Sequence, residues 1–136
     1  MSHPATKELT EPATAARGRA YGRRLNIALW TLQVLSALAF LAAGICKVAG
    51  APMMVAEFEH IGLGQWFRHL TGLLEVLAAV ALLVPRATFH SATLLAMVMV
   101  SALFAHAAVL GMATAMPAFI LLVLNAAIAY FRRPWA

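Results

Sequence analysis

The chain has 136 residues, 63% of them hydrophobic and 11% charged, with a mean hydropathy of +0.85. Soluble domains carry about 45–50% apolar and about 25% charged residues, and a 14.5 kDa globule cannot bury this much apolar side chain, so the excess faces lipid. A soluble enzyme, a secreted disulfide scaffold and a disordered chain are excluded, and the single Cys46 also excludes an intrachain disulfide or a dithiol redox motif.

A sequence pI near 10.4 raises nucleic acid as a partner. The formal charge of +5, however, sits at the two ends of the chain. Between Leu25 and Phe131 the charged side chains are Lys47, Glu57, Glu59, Arg68, Glu75 and Arg86, which sum to zero. Basic ends flanking apolar spans report membrane topology, so no nucleic-acid partner is expected.

Residues 1–24 form a polar tail ending in Arg17, Arg19, Arg23 and Arg24. It lacks a hydrophobic period and reads as a disordered cytoplasmic segment or one lying on headgroups. The membrane domain then covers 25–133. Its first span, 25–47, is charge-free from Leu25 to Cys46, about 33 Å of helix against a hydrocarbon core of about 30 Å. That run is too long for the apolar core of a cleaved signal, so it is expected to be retained.

Between the first and second spans, the segment 51–65 interleaves Met53, Met54, Val55, Phe58 and Ile61 with Glu57, Glu59 and His60. It reads as a short amphipathic, interfacial or re-entrant half-helix, with Gly62 and Gly64 turning the chain into the next span. The second span, 66–84, is closed by Pro85. The third, 89–110, stops at Gly111. The fourth, 117–131, opens on Pro117 and ends before Arg132 and Arg133.

The fold class is therefore all-α: an integral-membrane four-helix bundle. A β-barrel is excluded because period-2 alternation is missing and the runs are about twice the length of a barrel strand. The basic tail, Arg86 and Arg132–Arg133 fall on one side of four spans, which puts both termini in the cytoplasm and the protein in the cytoplasmic (inner) membrane. Trp30, Trp66, Tyr130 and Trp135 lie near the expected interfaces.

Ionisable groups at membrane depth cost about 2.5–3.5 kcal/mol each and call for a partner or a purpose. Glu75 is the clearest, about nine residues from either end of its span. Helical spacing puts Arg68, Gly72, Glu75 and Ala79 on one face, and Gln33, Ala37, Phe40, Gly44 and Lys47 on another. Leu95, Met99, Ala102 and His106 share a stripe in the third span, and Asn125 is in register with Ala118 and Ala129 in the fourth.

Turned inward, these faces give a polar core with Glu75, Gln33 and Asn125 near the middle and Lys47, Arg68 and His106 toward the outside. Two readings stand. Such a network fastens helices, at about 0.6–2 kcal/mol per contact, or it forms a ligand pocket open to the outer leaflet. Cys46 reads as a small buried apolar residue. No metal or haem site is expected from lone histidines, and no nucleotide motif is present.

The segments Ala43-Gly44-Ile45-Cys46-Lys47-Val48, Gly62-Leu63-Gly64-Gln65-Trp66, Thr71-Gly72-Leu73-Leu74-Glu75-Val76 and Leu82-Leu83-Val84-Pro85-Arg86, together with Ala105-His106, form an ordered set. In that order they resemble the motifs of the DoxX-like family of small four-helix membrane proteins, over roughly residues 25–133. Val48 stands where Leu is usual and Gly64 where Pro is common. Gly44, Gly72 and Pro85 are the structural positions of these motifs.

The resemblance implies an accessory membrane subunit of an oxidoreductase rather than a catalyst by itself. Its ligand would be a quinone or a similarly amphipathic molecule, and its partner a peripheral or membrane redox protein. Lys47 and His106 would then bond ligand carbonyls, with Glu75 moving or neutralising a proton. No catalytic residue is assigned. The alternative is a non-enzymatic lipid- or cargo-binding, assembly or scaffold protein, whose small-residue faces at Ala39/Ala43 and Ala92/Ala96 favour homo-oligomers.

Overall fold

The computed structural model describes residues 4–134, with side chains from residue 22 onward, so Trp135 lies outside the described residues. The described chain is helical, without strands: α1 (Pro4–Ala49), α2 (Pro52–Ile61), α3 (Gln65–Leu82), α4 (Thr88–Ala105) and α5 (Met116–Phe131). The backbone of α1 runs without a break through Leu25, where the sequence reading separates a polar tail from the first span. The chain divides into two units, residues 1–31 and 32–136.

Glycine and proline punctuate the helices. Gly50, with φ +78°, ends α1, and Pro52 opens α2, where its missing N–H is no loss. Gly62 closes α2 in the left-handed conformation, its N–H donating to Phe58 O at 3.2 Å. The expected half-helix between the first two spans is thus a ten-residue helix, Pro52–Ile61. It packs on α3, with the Phe58 and Phe67 rings 5.8 Å apart.

Pro85 lies in the turn between α3 and α4. The Thr88 hydroxyl ties that turn together, lying 3.1 Å from Leu82 O and 3.0 Å from Val84 O. The third apolar run does not stay α-helical to its end. After Ala105 it widens into a single π turn, His106–Leu110, closed by Gly111 N–H donating to His106 O at 2.7 Å. That π turn packs on α2.

The apolar core joins Ala37 and Phe40 of α1 to Ala78, Ala79 and Leu82 of α3, Ala92, Leu95 and Met99 of α4, and Ala118 and Ile128 of α5. Half of these residues are alanine, which is what lets helix backbones approach. Many other large apolar residues point the other way. Leu35, Leu38, Leu73, Leu77, Val80, Met97, Val100, Phe104, Phe119, Ile120 and Val123 are all exposed. Among the described residues two segments are long and apolar enough to cross a membrane, Gly22–Ala49 and Thr88–Leu110, and α5 is a shorter apolar helix.

Candidate functional site

The sharpest feature of the fold is the crossing of α1 and α3 at two glycines. A Cβ added to Gly44 would stand 2.7 Å from Gly72 O and 2.7 Å from Val76 Cγ2. One added to Gly72 would stand 2.8 Å from Lys47 Cβ and 2.9 Å from Gly44 O. Backbone oxygens cannot yield, so both positions require glycine for the helices to meet this closely.

That crossing sets the position of Lys47 beside Glu75. Lys47 Nζ donates to Glu75 Oε1 at 2.5 Å. The Glu75 side chain is 0% exposed and that of Lys47 is 13% exposed. The second carboxylate oxygen, Oε2, is also buried and meets no hydrogen-bond donor among the described residues.

Toward the α2 end, Arg68 is buried and each of its three guanidinium nitrogens has a partner. Nη1 donates to Lys47 O, Nε donates to Gln65 Oε1 at 2.8 Å, and Nη2 lies 3.2 Å from His69 Nε2. Gln65 in turn donates to Val55 O at 3.3 Å, which links the group to α2. Arg68 therefore shares the face of Glu75 without being its partner.

Gln33 and Asn125 lie elsewhere. Gln33 Nε2 donates to Leu82 O at 3.1 Å and its Oε1 accepts from Arg132 Nε at 2.9 Å. The amide thus sits at the closing end of α3, not beside Glu75 as the sequence reading has it. A side-chain amide can serve a helix-end carbonyl and a guanidinium together, and this end supplies both. Burial lowers the Arg132 pKa from its ordinary value, and a guanidinium stays charged at neutral pH regardless. Asn125 Oδ1 accepts from Ser36 Oγ at 3.1 Å while its Nδ2 donates to Leu121 O at 2.8 Å.

His106 occupies a third position. The Thr88–Leu82 contact sets an antiparallel register of α3 and α4, in which Leu95 stands opposite Glu75. His106 is eleven residues farther along, or about 16 Å at 1.5 Å per residue. It lies on the π turn under α2, buried, and its Nδ1 meets no hydrogen-bond partner among the described residues. The polar residues thus form separate groups along the helices rather than one cluster.

Cys46 is exposed, contrary to the buried position expected of it. Two consecutive residues of α1 face roughly 100° apart, so a face that buries Lys47's stem turns Cys46 away. Ser36 and Gln65 escape the sequence reading. Ser36 was legible, lying three residues after Gln33 and four before Phe40 on the buried face of α1; Gln65, at the start of α3, carries no such signal.

A family model described as the DoxX-like family matches residues 31–128. The chain belongs to that family. The match spans the glycine crossing, the Lys47–Glu75 pair, α2 and His106. Comparison with curated proteins and with solved structures gives no significant match. Family membership and the apolar helices together point to a membrane protein.

Proposed function

We propose that this DoxX-like chain is a multi-pass protein of the cytoplasmic membrane, in which α1, α3, α4 and α5 cross as a four-helix bundle with both termini inside. Its role is to hold a quinone or a similarly amphipathic small molecule as the accessory membrane subunit of a redox complex. One observation carries this reading: the Lys47–Glu75 pair, its carboxylate fully buried, leaves Glu75 Oε2 without a donor among the described residues. Burying two charges at membrane depth costs more than packing two leucines there. A purely fastening pair would also satisfy both carboxylate oxygens. In this reading Lys47 and Glu75 contact the ligand's polar head, and His106 lines the way in beneath α2.

The test is saturable binding. Protein purified in lipid nanodiscs is titrated with a short-chain quinone and with its quinol, and co-purifying small molecules are identified by native mass spectrometry. Saturable binding that is lost in the Lys47→Met/Glu75→Leu variant is expected. A folded parent protein that binds none refutes the reading.

A second reading has its own observation. The ion pair sits at the closest helix crossing, where a fastening role is also served. A scaffold or cargo-binding protein would retain its partners in the same apolar double variant.

A further inference from the structure

Resting on the binding reading above, we propose that the Lys47–Glu75 site selects a ligand carrying a hydroxyl group on an apolar body, an alcohol or a phenol, over one of equal shape that offers only acceptors. An ionised carboxylate has two oxygens that accept and nothing to donate. Glu75 Oε1 is taken by Lys47 Nζ at 2.5 Å, and Oε2 is buried with no donor among the described residues. The ammonium carries three protons. One goes to Glu75, and nothing else among the described residues accepts from Nζ. The pair therefore presents one acceptor and at least one donor side by side.

A hydroxyl answers both at once, giving its proton to Oε2 and accepting one from Nζ. A ketone, an ether or an oxidised quinone answers only the lysine and leaves Oε2 buried and bare, so of a quinone couple the pair takes the hydroxyl-bearing quinol. The rest of the ligand must be apolar. Val48, whose Cγ2 would lie 2.9 Å from a Cβ on Gly72, stands at the crossing next to Lys47 and is exposed on the outer surface. Lys47 is the member of the pair that reaches that surface, so the head group enters along its side chain.

The experiment compares 4-nonylphenol with its methyl ether on the whole chain in nanodiscs, after subtracting partition into empty discs. The two probes have nearly the same shape and differ in one donor. The phenol is expected to bind about tenfold more tightly or better, the worth of one hydrogen bond to a charged group. Glu75→Gln keeps the side-chain shape, and its amide oxygen can still take Lys47, which turns an N–H₂ donor toward the ligand. In that variant the ether should match or exceed the phenol.

Saturable binding with equal affinities in the parent overturns the selectivity and leaves the binding reading standing. A phenol preference that survives Glu75→Gln overturns it too, since the preference would then arise elsewhere. If neither probe binds the folded parent, this inference falls, and the binding reading falls with it where the quinone and quinol titrations are blank as well.

Discussion

Lys47→Met keeps most of the length and apolar volume of the lysine stem but removes the ammonium that meets Glu75 Oε1 at 2.5 Å. Glu75 is 0% exposed and its second oxygen has no donor among the described residues, so none of these replaces the lost charge. Removing one partner of a buried pair typically costs about 3–5 kcal/mol. Protonation of the stranded carboxyl caps that cost, and a neutral unsatisfied buried group costs about 1–3 kcal/mol. Between the two, a loss of about 3 kcal/mol is expected. Glu75→Leu should be milder, about 1 kcal/mol, because Lys47 is partly exposed and can bend its head outward. The double variant Lys47→Met/Glu75→Leu should recover to within about 1 kcal/mol of the parent, since apolar replacement of a buried pair is often neutral. Reversible unfolding in mixed micelles, followed by tryptophan fluorescence, measures all four proteins. A Lys47→Met protein as stable as the parent, or a double variant as weak as the two singles added together, would refute the reasoning.

Gly44→Ala and Gly72→Ala should each lower stability by about 1–3 kcal/mol, because backbone must separate to admit the methyl group. Gly22→Ala, whose Cβ meets nothing within 4 Å, should be neutral or stabilising by up to about 1 kcal/mol in the same unfolding assay. Ser36→Ala strands Asn125 Oδ1, which is fully buried, and should cost about 1–2 kcal/mol; equal stability would mean that another donor reaches that oxygen. Gln33→Leu should cost only about 1 kcal/mol, since Thr88 still donates to Leu82 O, and combining it with Thr88→Val should cost more than the two separate losses. Topology is checked on a Cys46→Ala background. A membrane-impermeant maleimide on intact cells should label Glu59→Cys and spare Arg86→Cys, and the opposite pattern would invert the orientation.

Helix positions and inward faces could be read from the sequence because both follow from local periodicity. The i, i+4, i+7, i+11 set Arg68, Gly72, Glu75, Ala79 is buried throughout; of the stripe Leu95, Met99, Ala102, His106, all are buried but Ala102, which is partly buried. Side-chain partners could not be read in the same way. Gln33 looks central when depth is counted from the expected end of the first span at Leu25. Its partners, Leu82 O and Arg132, belong to the closing ends of two other helices. Depth along one helix is a local count, whereas a partner depends on the register between helices, and register is decided by where the backbones touch. The π turn at His106 was hidden for a related reason. Its extra residue is accommodated by Gly111, at φ +92°, and a single glycine after an apolar run equally announces an ordinary helix end.

The spacing within the two glycine motifs explains why the ion pair and the crossing occur together. Lys47 follows Gly44 by three residues on α1, and Glu75 follows Gly72 by three on α3. The helices run antiparallel, so these offsets carry the two charged residues in opposite directions from the crossing, about 9 Å apart along the axes. Side chains on a helix tilt toward its N-terminus. On α1 that tilt takes Lys47 back toward Gly44, and on α3 it takes Glu75 back toward Gly72, so each leans toward the other. The lysine stem must then lie across the α3 backbone at the crossing point, where any side chain would obstruct it. Gly72 is that point: the atom a Cβ there would strike first is Lys47 Cβ, at 2.8 Å. Gly44 lets the backbones touch, while Gly72 also leaves the track along which the lysine reaches its carboxylate. A one-residue slip of α1 would rotate Lys47 by about 100° off this track and set its ammonium against the apolar outer surface. The pair therefore fixes the register of the crossing as much as the crossing positions the pair.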